Sequence, residues 1–136
     1  MTLNQAQQLE YIAHLVGECK KCPLYKTATN PVPGDGNPHA KIVFIGEAPG
    51  QQEDLQGLPF VGNSGKLLNK LLSTIEVPRS DVFICNILKH HPPGNRDPLP
   101  EEIKVCVPYL KAQLKIIQPK IVITLGRFAM NYFFPD

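Results

Sequence analysis

A carboxylate set in a glycine-rich loop, Gly46-Glu47-Ala48-Pro49-Gly50, followed by Phe60-Val61-Gly62, is the first constellation in this chain that could do chemistry. The loop leaves the apolar run Ile42-Val43-Phe44-Ile45, which reads as a buried strand. A carboxylate at a strand mouth, backbone bared by glycine and an aromatic on the same loop make a pocket for a flat polar ligand. A second polar segment, Asn86 to Arg96, also follows a strand-like run. Open parallel sheets bind ligands where such strand ends meet. The cysteines offer separate chemistry. Cys19-x-x-Cys22 has the spacing that lets two thiolates face one metal centre, and Lys20 and Lys21 make the segment too polar for core. Cys106 is a third possible ligand and His90 stands at a loop start, whereas Cys85 lies inside an apolar strand and reads as packing. From these residues alone, zinc on four cysteines (Cys19, Cys22, Cys85, Cys106), zinc on three cysteines and a histidine, and an iron–sulfur cluster all stay open.

The elements that must position these groups follow from periodicity. The chain of 136 residues is 43% hydrophobic and 19% charged, the balance of one globular domain. A net charge of +2 announces no polyanionic partner, so any nucleic-acid surface must be a local patch. The first residues carry no secretory pattern, and no apolar run approaches the ~20 residues of a membrane span. A cytoplasmic, monomeric protein with reduced thiols and no membrane partner is expected. Residues 4–18 predict an amphipathic helix, and the Pro/Gly/Asn-rich residues 27–40 a loop. Strands are predicted at 41–46, 82–87 and 121–125, with a long functional loop over 47–62. Asn63 or Ser64 is placed to cap a helix carrying Leu67, Leu68, Leu71, Leu72 and Ile75 on one side. Pro100-Glu101-Glu102 opens another helix that runs to about Ile117, with Pro108 expected to kink it. Gly126 starts a last helix. Strand and helix alternate, which predicts an α/β, three-layer αβα domain with a central parallel sheet.

The ordered set Cys19-x-x-Cys22, Gly46 to Gly50, Gly57-x-Pro-Phe-Val-Gly62, Asn86-x-x-Lys89, Pro92-Pro-Gly-Asn-Arg96, Cys106 and Leu125-Gly126 closely resembles the family 4, iron–sulfur uracil-DNA glycosylases. The resemblance runs from about residue 9 to residue 132. It implies hydrolysis of the N-glycosidic bond of deoxyuridine in DNA, leaving an abasic site for base-excision repair. It also implies a 4Fe–4S cluster and a four-stranded parallel sheet, of which the three strands above would be the first three. The alternative is a cluster- or zinc-stabilised nucleic-acid-binding module that has lost the C-terminal catalytic loop, and zinc is the alternative to the cluster.

Two departures from the family pattern stand out. The family carries a cysteine ligand directly after the lysine of Asn-x-x-Lys, where this chain has His90. The ligand set implied is therefore Cys19, Cys22, His90 and Cys106, with Cys85 as the substitute for His90. A branch that links covalently to uracil-DNA also has Lys-His here, but it adds a basic insert and a Gln at the position of Ala48, so ordinary glycosylase chemistry is expected. The chain also stops at Asp136, before the family's fourth strand and His-Pro loop. A single domain over 1–136, incomplete at its C-terminus and weak or inactive in that form, is expected.

Carried onto this sequence, the resemblance gives each residue a role. Phe60 would stack on an extruded uracil. Asn86 would accept from uracil N3–H and donate to O4, provided its orientation is fixed by neighbours. Glu47 would orient water or steady a cationic sugar, with Glu53 as a second carboxylate. Gly46, Ala48 and Gly50 would let the backbone approach the uracil oxygens. Asn95 and Arg96 would brace Glu53 or hold a phosphate. Lys20, Lys21, Lys89 and His91 would form a small basic patch on DNA.

Overall fold

Three apolar runs lie side by side and parallel in the computed structural model, which describes residues 2–135. They are β2 (Ile42–Gly46), β3 (Phe83–Asn86) and β4 (Ile121–Thr124), preceded in the chain by β1 (Asp35–Gly36). The sheet order is β1-β3-β2-β4. Register pairs Gly46 with Asn86 and Ile45 with both Cys85 and Thr124, so three strands end at one level. The parallel core matches the expectation, but the fourth strand does not. It is β1, antiparallel to β3, inside the segment read as loop. Two residues carry no alternation to detect, and the flanking prolines and glycines mimic a turn. The sheet is therefore mixed at that edge.

Among the described residues five α-helices complete the fold: α1 (Gln5–Gly17), α2 (Gln51–Gln56), α3 (Asn63–Thr74), α4 (Pro100–Ile117) and α5 (Arg127–Phe133). Helix α1 starts on a capping box in which the Asn4 side chain accepts from the Gln7 N–H and Gln7 answers onto the Asn4 N–H. Helix α4 begins at Pro100, as its proline and acids predict, and carries Pro108 on an exposed position. Helix α2 replaces part of the expected long loop; its sequence, QQEDLQ, shows no apolar period. The cap of α3 is Gly62, not Asn63 or Ser64.

The strand residues alternate between two cores. Val43, Ile45, Phe83, Cys85 and Ile87 pack against Val107, Leu110 and Ile117 of α4, Leu9 of α1 and Ala129 of α5. On the opposite face Phe44, Val82 and Ile84 meet Leu68 and Leu72 of α3. Burying each of those leucines is worth about 1.5–3 kcal/mol. The rest of the α3 stripe is not core: Leu67, Leu71 and Ile75 stay exposed, Leu67 by 70%. Its apolar arc is wider than the sheet can cover, and the surplus turns towards the strand ends. No helix among the described residues is long and apolar enough to cross a membrane.

Candidate functional site

Where β2, β3 and β4 end, the backbone ladder continues for another step. Ile87 N–H donates to the Gly46 carbonyl at 2.9 Å, Leu88 N–H to Glu47 at 3.0 Å and Leu125 N–H to Ile45 at 2.8 Å. These bonds make the loop starts a fixed floor. Above it opens a cavity of about 540 Å³ lined by Gly46, Glu47, Ala48, Gly50, Glu53, Phe60 and Asn86. Asn63, Ser64, Leu67, Leu68 and Leu71 of α3 and the Leu125-Gly126 pair close it. Seven residues singled out from sequence thus share one cavity. The contribution of α3 was missed because its leucines read as core; their excess over what one sheet can bury was the available signal.

Gly46 is the centre of this arrangement. A Cβ there would lie 2.5 Å from Asn86 Oδ1 and 2.5 Å from Phe60 Cζ, so the carboxamide and the ring converge on the space a side chain would fill. Asn86 is buried, and its main chain is held by pairing with Gly46 and by Lys89 Nζ, which donates to its carbonyl at 2.8 Å. Lys89 also donates to Gln113 Oε1 of α4 at 2.8 Å. With no exposed surface at all, Lys89 cannot touch DNA, contrary to the expected basic patch. Burial pushes its ammonium pKa down, and nearby Cys85 and Cys106 oppose that.

The two carboxylates differ. Glu47 is half-buried on the cavity wall, with Oε2 3.4 Å from the Phe128 N–H and its carboxylate against Gly126. Glu53 is buried and committed to backbone: Oε1 accepts from Gly50 N–H at 2.9 Å, and Oε2 from Val61 and Gly62 N–H at 2.9 and 2.6 Å. It ties together both ends of the loop that carries Phe60. His91 does similar work on the first loop, with Nδ1 2.7 Å from the Pro49 carbonyl. A carbonyl only accepts, so that nitrogen carries the proton.

Asn95 lies outside this group. It is exposed on the turn Pro93–Asn95 and does not line the cavity. Arg96 does not brace Glu53 either; it forks onto Glu102 at 2.9 and 2.7 Å. Turn residues carry no mark of which way the chain faces, and the partner carboxylate sits six residues further on.

The thiols gather at the other side of the loops. Cys22 and Cys106 share an apolar cluster with Leu24 and Leu88, while Cys19 and His90 line a second cavity of about 170 Å³. Burial, offset by a hydrogen bond from the Lys89 backbone N–H and worsened by the fields of Cys22 and Cys19, pushes the Cys106 thiol up to about 11. Burial likewise raises Cys22 and lowers His90. Cys85 belongs to the separate core against Val107 and Leu110. Among the described residues, no three His, Cys, Asp or Glu side chains converge on the position of a single ion. A mononuclear zinc site needs four donors each about 2.0–2.3 Å from the ion.

Known proteins resemble the chain throughout this region. The model of the uracil DNA glycosylase superfamily matches residues 33–136. A type-4 uracil-DNA glycosylase of Archaeoglobus fulgidus is 52% identical over 128 residues, which are 94% of this chain and 64% of the relative. That of Saccharolobus solfataricus is 53% identical over 127 residues, 93% of this chain and 59% of the relative. That of Thermotoga maritima is 46% identical over 130 residues, covering 96% and 68%. The chain spans roughly three-fifths of the length of the first of these curated relatives. A cavity at the strand tips, an aromatic and a carboxamide meeting over glycine, and this level of identity lead to one conclusion: the chain belongs to the uracil DNA glycosylase superfamily, in its type-4 branch.

Proposed function

We propose that the protein removes uracil from DNA by hydrolysing the N-glycosidic bond of deoxyuridine, leaving an abasic site for base-excision repair. One observation carries this reading: Phe60 and Asn86 converge over Gly46 inside a single cavity. An extruded pyrimidine lies against the Phe60 ring, and such stacking is worth about 1–3 kcal/mol whatever the base. Selection for uracil falls to Asn86, whose oxygen accepts from N3–H and whose NH2 donates to O4; cytosine presents the reverse pattern. Glu47, half-buried and not saturated by backbone donors, faces the sugar as its bond to the base weakens and orients the water that attacks. Glu53 already accepts three N–H groups, so we assign it to holding the loop. Backbone N–H groups around Gly46, Ala48 and Gly50 receive the charge that develops on the uracil oxygens.

Cys19, Cys22, His90 and Cys106 are the residues that would hold a 4Fe–4S cluster. Their chemistry fits: Cys22 and Cys106 are raised mainly by burial and further by neighbouring thiols, and the imidazole is kept neutral by burial, which is the form that binds metal. When bound, the cluster would supply iron–thiolate bonds to the N-terminal segment and α4 and an iron–imidazole bond to the 88–91 loop, cross-linking the three. A reducing cytoplasm suits such thiols, and a monomer on uracil-containing DNA is the form proposed.

The test is release of uracil from a single-stranded oligonucleotide by the full-length protein, read as alkali-sensitive cleavage at the abasic site. Asn86→Asp replaces a donor with an acceptor opposite O4 and should lower the rate roughly 10- to 100-fold, the cost of an unpaired buried polar group. An uncut oligonucleotide contradicts the activity, and an unimpaired Asn86→Asp removes Asn86 from base selection.

A further inference from the structure

Phe60 is held in a backbone conformation that a bulky side chain rarely takes, with φ at 51°. Such a conformation persists only where the surroundings over-determine it. Here the stretch 59–62 is gripped from two sides. Glu53 accepts from the N–H groups of Val61 and Gly62. Arg79, in the turn before β3, donates from Nη2 to the Pro59 carbonyl at 2.6 Å and from Nη1 to the Phe60 carbonyl at 2.9 Å. The guanidinium is itself aimed by a 2.8 Å bond from Nη1 to Asn69 Oδ1 on α3. Helix α3 closes the underside at Gly65, where a Cβ would fall on the Phe60 carbonyl oxygen. Arg79 does not line the cavity.

We infer that Arg79 is a positioning residue for base recognition: by holding two consecutive carbonyls it sets the plane of the Phe60 ring against Gly46 and Asn86. The inference rests on the uracil-release reading and assigns that site a support on the far side of its aromatic wall. A planar fork can hold both carbonyls at once, whereas an ammonium is a compact point charge that cannot present two fixed parallel donors. A cation and an anion thus divide the work, Arg79 taking the oxygens of the loop and Glu53 its N–H groups.

Two measurements test this. In steady-state uracil release, Arg79→Gln should lower kcat/KM about tenfold or more, in proportion to lost stacking, and Arg79→Lys should fall between. In a Phe60→Ala background the same Arg79→Gln change should cost less than about twofold, because the ring it positions is gone. Equal losses in both backgrounds would show that Arg79 serves the fold generally and would overturn the inference, as would unimpaired R79Q. Amide exchange should quicken at Val61 and Gly62 in R79Q, and unchanged exchange also overturns it. If R79Q loses its thermal transition, R79K carries the same comparisons. A wild-type protein that releases no uracil overturns the activity reading, and exchange then decides the grip by itself.

Discussion

Replacing Gly46 by alanine adds one methyl at the point where the site converges. That carbon would sit 2.5 Å from Asn86 Oδ1 and 2.5 and 2.8 Å from Phe60 Cζ and Cε2. Non-bonded carbons prefer about 3.5–4.0 Å, so the ring must withdraw by about 1 Å or the strand must shift. Overpacking of this kind costs about 1–3 kcal/mol, while relief of glycine's entropy in a strand returns about 0.5–1 kcal/mol. The domain should therefore stay folded with a net loss of about 2.5 kcal/mol or less. Activity is far more sensitive: a misplacement of about 1 Å in a positioned group costs about 10²-fold. Uracil release measured as kcat/KM should drop by that order, while the thermal transition moves by only several degrees. Full activity in a folded Gly46→Ala protein would refute the placement of the base between Phe60 and Asn86.

Two more outcomes follow from buried groups. Arg96, with the Leu99 N–H bond assisting, is first among the causes that hold the Glu102 carboxyl below its ordinary value of 4.5. A folded-state pKa below the unfolded one contributes stability above the unfolded value and loses it as pH falls through the folded value. Urea midpoints should fall as pH drops below about 4.5, and Glu102→Gln should flatten that limb while costing about 1–3 kcal/mol at neutral pH. An unchanged acid slope in E102Q would contradict this. For the thiols, Cys85→Ser should cost about 1–3 kcal/mol in stability by burying a hydroxyl, with iron content unchanged, whereas His90→Ala should lose iron and His90→Cys keep it. Iron lost from C85S and retained in H90A would reverse the ligand assignment.

The sequence made the strand tips legible because fully apolar runs such as Val43-Phe44-Ile45 and Phe83-Ile84-Cys85 are hard to place anywhere but in a covered parallel sheet. Once those runs are strands, Gly46 and Asn86 are neighbours by register. What stayed hidden depends on contacts distant in the chain. Lys89 looked like a surface charge because its partners are the Asn86 main chain and Gln113, 24 residues away. The grip on Glu53 was hidden because nothing local says that three backbone N–H groups will reach it. Helix α2 exists because those contacts and the Gly50 cap hold a polar segment in place, not because of its own pattern. Arg79 and Gly65 carried no motif at all; their meaning appears only with the φ of Phe60.

Lys89 also has a bearing on how the protein would age. Its ammonium grips the Asn86 carbonyl and α4, and its own N–H meets the Cys106 sulfur, so the strand tip and the sulfur-bearing helix share one strut. Oxidation of that sulfur, buried against Leu24 and Leu88, would disturb the strut that holds the carboxamide together with the apolar packing around it. The expected signature of such damage is poorer base selection that appears together with a lowered thermal transition.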